Sequence, residues 1–108
     1  MTTSAVTAQQ DILIHTEAAV TTITINRLDK KNSITAAMYS TLADALVDAE
    51  ADASVRCVVF QGNEAVFSAG NDIGDFLNNP PASGDSPVFR FLRGIATFSK
   101  PAIAAVCG

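Results

Sequence analysis

The sequence predicts an α/β fold, and three features carry that prediction. Residues 12–26 hold two short apolar segments, the second alternating with period two, residues 34–49 hold an amphipathic helical pattern, and residues 57–60 are continuously apolar. Strand, helix and buried strand in that order make the start of an α/β sheet with right-handed crossovers.

Ile12, Leu13 and Ile14 lead through His15 into Ala19 to Asn26, where Thr22, Ile23, Thr24 and Ile25 alternate. This pattern predicts two antiparallel strands reversing around Glu17 and Ala18. Arg27 to Ser33 is polar and basic. After it, Ile34, Met38, Leu42, Ala45, Leu46 and Ala49 share one helical face, so the spacing predicts a helix over Ala36–Ala51 with Thr35 as its N-cap. Arg56 introduces Cys57, Val58, Val59 and Phe60, a run that suits a strand buried on both faces and ends at Gln61 and Gly62.

Asn63 to Asp75 is rich in Gly, Asn and Asp, and 78–87 holds Pro80, Pro81 and Gly84, so a mobile surface segment is expected there. Val88, Phe91, Leu92 and Ile95 mark the buried face of another helix, and Ala102 to Val106 reads as a further buried strand after Lys100 and Pro101. A buried parallel strand at the end of a chain leaves an edge of unpaired backbone groups, which favours part of a domain over a self-sufficient module.

Composition narrows the function classes. With 48% hydrophobic and 17% charged residues over 108 positions, the chain buries a real core as one domain or part of one. A formal net charge of −4 argues against nucleic acid, whose phosphates call for clustered Lys and Arg. A small anionic ligand stays open, because it needs only a local basic patch and backbone N–H groups. No apolar run approaches the roughly 20 residues that span a bilayer, and residues 1–10 are polar without a secretory pattern. The expectation is a cytoplasmic protein with a disordered tail at 1–10 and one domain over 11–108. Cys57 and Cys107 lie in apolar runs without CxxC spacing or His partners, which predicts buried free thiols and no metal site.

The loop from Val66 to Phe76 follows a buried strand, where open α/β sheets place ligands. Gly70 permits a positive φ or a close approach, and Asn71 and Asp72 open a short helix with N–H groups toward an anionic oxygen. An ordinary Gly-, Asn- and Asp-rich turn has the same spacing. Asp72 suits an N-cap and Asp75 a solvated face better than a catalytic carboxylate pair, and lone His15 suits the surface.

Four segments, in order, resemble one family. Asn26-Arg27 with Lys31-Asn32, then Val55 to Val59, then Phe67 to Ile73, then Lys100 to Val106 are similar to segments of the enoyl-CoA hydratase/isomerase (crotonase) family, and together they cover most of residues 11–108. The resemblance implies a crotonase-like ββα superhelix, of which this chain is the first half. It implies an acyl-CoA substrate whose thioester oxygen sits between two backbone N–H groups, where an enolate is stabilised by fixed donors.

Carried over by position, Asn71 supplies the first of these N–H groups and the Ala69 carbonyl faces the adenine amino group. Asp72, Ile73 and Gly74 line the thioester and pantetheine side, with Ser68 and Gly70 in the same substrate-binding loop. Arg27, Lys30 and Lys31 resemble the CoA-lining loop, where cations meet nucleotide phosphates, although a solvated turn has the same composition. Several members carry Lys or Arg where Gly74 stands. The second Gly-rich loop and the proton-transferring glutamates follow, in the family, the strand matching Ala102 to Val106, so the general acid or base lies outside these residues. No membrane partner is expected in the absence of a spanning run, and the resemblance further implies no cofactor beyond the substrate's coenzyme A and a homotrimer or homohexamer. The Ser68 to Ile73 run resembles the Δ3,Δ2-enoyl-CoA isomerases as much as the hydratases. A non-catalytic acyl-CoA-binding or scaffolding module is the alternative of a different class.

Overall fold

β1 (Ile12–Glu17) pairs with the alternating strand β2 (Val20–Ile25) as an antiparallel hairpin in the computed structural model, which describes residues 10–78, 80 and 86–107. Ile12 stands opposite Ile25 and Ile14 opposite Ile23. The reversal falls at Ala18 and Ala19, one residue later than expected, with φ of 53° and 70°. Two left-handed residues match a tight hairpin turn to the strands' twist, at a steric cost for alanine. All of the expected tail except Gln10, and most of the expected mobile segment at 78–87, lie outside the described residues.

After a 3-10 turn at Leu28–Lys30, α1 (Ala36–Ala51) starts where the sequence predicts. Thr35 caps it, its Oγ1 accepting from the Met38 N–H at 3.2 Å. Met38, Leu42, Ala45, Leu46 and Ala49 are buried as their spacing predicts, against Ile23 and Ile25 of β2 and Val58 and Phe60 of the next strand, β3 (Cys57–Gln61). Burying one such Leu, Ile or Val side chain stabilises the fold by about 1.5–3 kcal/mol.

β3 runs parallel to β2 and is buried on one face only, a correction to the reading of two buried faces: Val58 and Phe60 face α1, while Cys57 and Val59 are half-buried on the other side. The described helices that pack on this sheet cover the Val58 and Phe60 face, so the alternate residues stay partly open.

α2 (Ile73–Asn78) is short, and α3 (Pro87–Thr97) packs on α1. Phe91 and Ile95 meet the core as expected, half-buried Val88 and exposed Leu92 do not, and Phe98 joins them. The Phe91 ring sets its edge to Phe60 at 6.1 Å and tilts against Tyr39 at 5.7 Å. Arg90 Nη2 pairs with Asp44 Oδ1 across the two helices at 2.7 Å.

β4 (Ala102–Ala105) runs parallel to β3 and completes a sheet of order β1-β2-β3-β4. The expectation of a buried strand is corrected here: all four residues are exposed, because β4 is an edge strand and no described residue covers it. The same correction applies to the two thiols, Cys57 being half-buried and Cys107 exposed beyond β4. The segment leading into β4 is fastened to the end of α1. Lys100 Nζ donates to the Ala49 and Asp52 carbonyls at 2.6 and 2.8 Å, satisfying acceptors a helix C-terminus leaves open. Ser99 donates to Glu50 through both its N–H and its hydroxyl, which holds the Glu50 carboxyl below the usual carboxylate range.

Candidate functional site

The loops that leave β2 and β3 emerge at the C-terminal ends of adjacent parallel strands, the usual ligand-binding end of such a sheet. Asn32 joins them. It is fully buried and left-handed at φ 57°, a conformation asparagine tolerates well. Its Oδ1 accepts from the Arg27 N–H at 2.7 Å, and its Nδ2 donates to the Val66 and Phe67 carbonyls at 3.3 and 3.2 Å. Ser68 Oγ donates to the Asn32 carbonyl at 2.9 Å, and the Ala69 N–H to the Lys31 carbonyl at 3.1 Å. Gly62, just past β3, lies so close to the same loop that a Cβ there would stand 2.5 Å from the Phe67 oxygen.

This bracket sets the backbone of the next residues. Gly70 takes φ +93°, which glycine alone adopts freely. Ile34 and Asn71 then form a parallel bridge, in which the Ile34 N–H donates to the Gly70 carbonyl at 2.8 Å and the Asp72 N–H to the Ile34 carbonyl at 2.9 Å. Because bonded groups alternate along an extended strand, the Asn71 N–H and carbonyl turn the other way. Among the described residues, none accepts from the Asn71 N–H. Asn71 is an exposed residue on a backbone held from both sides.

Tyr39, on the first turn of α1, donates its hydroxyl to Asn71 Oδ1, and partial burial pushes the Tyr39 pKa up. A small cavity of about 30 Å³ lies here, bordered by Ile34, Tyr39, Asn71, Asp72, Phe76 and Pro87. Ile34 and Tyr39 also border an apolar cleft of about 320 Å³ that continues past Phe60, Phe67, Phe91 and Ile103.

Charge is concentrated beside Asn71. Arg27 Nη1 pairs with Asp72 Oδ2 at 2.6 Å and also donates to Ser33 Oγ at 3.1 Å and the Ser33 carbonyl at 3.3 Å. Asp72 Oδ1 accepts from the Asp75 N–H at 2.8 Å, so Asp72 caps α2 as its position predicts. The Asp75 N–H, and after it the Arg27 guanidinium, hold the Asp72 carboxyl below the usual range. Asp75 is no solvated face: its Oδ2 accepts from the Ala36 N–H at 2.7 Å, where the first turn of α1 leaves donors unpaired.

The remaining sequence-derived positions divide by exposure. Lys30 and Lys31 are exposed, and Lys30 is near enough for its charge to act on Asp72. Ala69, Ile73 and Gly74 are exposed around the same loop, whereas half-buried Ser68 accepts from the Gly70 N–H through Oγ at 3.0 Å. His15 lies on the opposite edge strand, exposed and paired with Glu17. Asn32 as a bracket, Tyr39 as a partner of Asn71 and the close approach at Gly62 are absent from the sequence reading. A signal existed for Asn32 and Gly62, a turn asparagine and a strand-ending glycine; Tyr39 offered none beyond its place on the first helical turn.

The sequence model of the enoyl-CoA hydratase/isomerase family matches residues 15–108. The chain belongs to this family. It is 37% identical to the 1,2-epoxyphenylacetyl-CoA isomerase of Escherichia coli (strain K12) over 106 residues, covering 90% of this chain and 40% of that protein. It is 35% identical to the peroxisomal enoyl-CoA delta isomerase 3 of Mus musculus, covering 92% of this chain and 33% of the relative. The solved structure of Pseudomonas aeruginosa OdaA superimposes with a TM-score of 0.88 at 48% identity, covering 93% of this chain and 40% of OdaA. The chain therefore spans about 40% of the length of the first of these relatives and of the solved structure, and about a third of the second. The crotonase-like α/β fold expected of an enoyl-CoA hydratase/isomerase is the one the solved relatives share. Among the described residues no helix is long and apolar enough to cross a membrane.

Proposed function

We propose that the full-length protein acts on acyl-CoA thioesters and that the Asn71 N–H donates to the thioester oxygen as negative charge develops on it. The observation that carries this reading is the N–H of exposed Asn71, which has no acceptor among the described residues and whose direction is imposed by the Ile34 bridge and the positive φ of Gly70. When a proton leaves the carbon next to a thioester carbonyl, or water adds to the β-carbon of an enoyl thioester, an electron pair moves onto the carbonyl oxygen. A donor already in place there stabilises the enolate without reorganising at the moment of reaction.

Around that donor, Ser68 and Gly70 shape the loop, the Ala69 carbonyl is turned to the adenine amino group, and Asp72, Ile73 and Gly74 border the thioester and pantetheine. Exposed Lys30 and Lys31 meet the nucleotide phosphates. Asp72 and Asp75 are committed to Arg27 and to helix caps, so neither is the proton carrier. Coenzyme A arrives with the substrate, and no further cofactor is required. The active form is a cytoplasmic homotrimer or homohexamer, which light scattering tests.

Shifting the double bond of a 3-enoyl-CoA is the reaction favoured over hydration, because enoyl-CoA delta isomerases of Mus musculus and Rattus norvegicus are among the more similar relatives. Calorimetric titration with acetyl-CoA and crotonyl-CoA, followed by turnover of 3-enoyl-CoA and crotonyl-CoA, tests the whole reading. Binding with turnover is the expected result. A folded sample that binds neither ligand at millimolar concentration overturns it.

A further inference from the structure

We propose that Arg27 is a positioning residue for the Asn71 donor and not a ligand for nucleotide phosphate, an inference that rests on the oxyanion reading above. Two residues form the bridge that aims the Asn71 N–H, Ile34 and Asn71 itself, and Arg27 holds the neighbour of each. Its Nη1 reaches Asp72 Oδ2 on one side at 2.6 Å and Ser33 Oγ and the Ser33 carbonyl on the other at 3.1 and 3.3 Å. One cationic nitrogen thus clamps both flanks of the bridge.

The clamp begins from a fixed point. The Arg27 N–H donates to buried Asn32 at 2.7 Å, so main chain and side chain of one residue span both loops. Arg27 and Asp72 side chains are each only 18% exposed, so this charge-assisted pair is partly shielded from water. Nη1 is thus committed to Ser33 and Asp72, while Lys30 and Lys31 are exposed on the same turn.

Releasing the clamp frees Asp72, which is covalently next to the donor and also caps α2 through the Asp75 N–H. The consequence is a donor whose direction is no longer fixed, and small misplacements at a reacting centre cost about 10²-fold in rate. Arginine suits the task because its guanidinium holds Nη1 in a rigid plane; a lysine ammonium supplies charge at the end of a flexible stem.

The test uses the full-length protein with Arg27→Gln, Arg27→Lys and Asp72→Asn, and acetoacetyl-CoA as the probe. Its enolate absorbs in the ultraviolet, so the enolate fraction of the bound ligand reads the strength of the oxyanion donors. Free coenzyme A affinity reads phosphate binding separately, and circular dichroism confirms folding.

In the unsubstituted protein the bound enolate fraction rises above that of free ligand. Arg27→Gln returns it toward the free value and lowers kcat by about 10- to 100-fold, with coenzyme A affinity changed by no more than about twofold. Arg27→Lys recovers part of both. Arg27→Gln combined with Asp72→Asn loses no more than the worse single variant, as expected for two halves of one clamp. If Arg27→Gln fails to fold, Arg27→Lys and Asp72→Asn carry the same readouts. An unchanged enolate fraction together with coenzyme A affinity about tenfold weaker makes Arg27 a phosphate ligand and overturns the proposal. If the unsubstituted protein itself shows no rise in enolate, the oxyanion reading fails, a result separate from any effect of Arg27.

Discussion

Under α1, Ile23, Leu42, Leu46 and Val58 are closed off from solvent and held by shape and apolar area. At the junction of residues 27–34 with 66–76, only Asn32 is buried to that degree; Ile34 and Phe67 pack on the core's margin, and the loops are joined to each other by hydrogen bonds and one ion pair. Apolar packing is spread over many weak contacts, so changes in the core register as lost stability. The junction depends on a few directional bonds, so a change there registers first in where the Asn71 N–H points.

The largest stability effect belongs to the core. Leu46→Ala leaves a cavity and lowers unfolding free energy by roughly 2–5 kcal/mol, read by urea denaturation, while kcat of the folded fraction stays near normal. Asn32→Gly reverses the pattern. Glycine keeps the left-handed backbone but leaves the Arg27 N–H and the Val66 and Phe67 carbonyls without their partner, costing roughly 1–3 kcal/mol while kcat falls further than in Leu46→Ala. Equal kcat in the two folded variants breaks the comparison.

Two smaller effects sharpen it. Ala19→Gly relieves a left-handed alanine at φ 70° in the hairpin and raises stability by about 0.5–1 kcal/mol, with unchanged kcat. Asp72 has a folded pKa below its unfolded value, so its contribution is present above the ordinary aspartate range and is lost as pH falls through the depressed folded value. Asp72→Asn therefore flattens the acid limb of a stability-against-pH curve and leaves the neutral limb in shape. An acid limb of unchanged slope removes the Arg27 and Asp75 contacts as its origin.

The fold was legible wherever a period in the sequence reports one local element. The hairpin, the bounds of α1 and the buried face Met38, Leu42, Ala45, Leu46 and Ala49 follow from spacing alone, because the helix and strand repeats act within a few residues. β4 misled for the complementary reason: Ala102 to Val106 is apolar enough for a buried strand, but burial depends on what covers it. The loop at 66–76 was legible as a place and through resemblance to a family. Its wiring was not, since Asn32 and Phe67 lie 35 residues apart, Ala36 and Asp75 39 apart, and Arg27 and Asp72 45 apart. No local pattern encodes which of three basic residues turns inward. Arg27, Lys30 and Lys31 look alike in sequence, and only packing separates the clamped arginine from the exposed lysines.

The proposed chemistry depends on one N–H, and Asn71→Pro compared with Asn71→Ala in the full-length protein tests it most directly, with kcat, acyl-CoA affinity and melting temperature taken for each. Proline deletes a donor that serves no partner among the described residues, so the fold should survive it, although its ring restricts Asn71 and Gly70. Alanine keeps the donor and loses only the contact with the Tyr39 hydroxyl. The prediction is a loss of about 10² to 10³ in kcat for the folded proline variant, with most activity retained by alanine. Equal losses in both, or near-normal kcat in a folded Asn71→Pro, contradicts the assignment of the Asn71 N–H as the oxyanion donor.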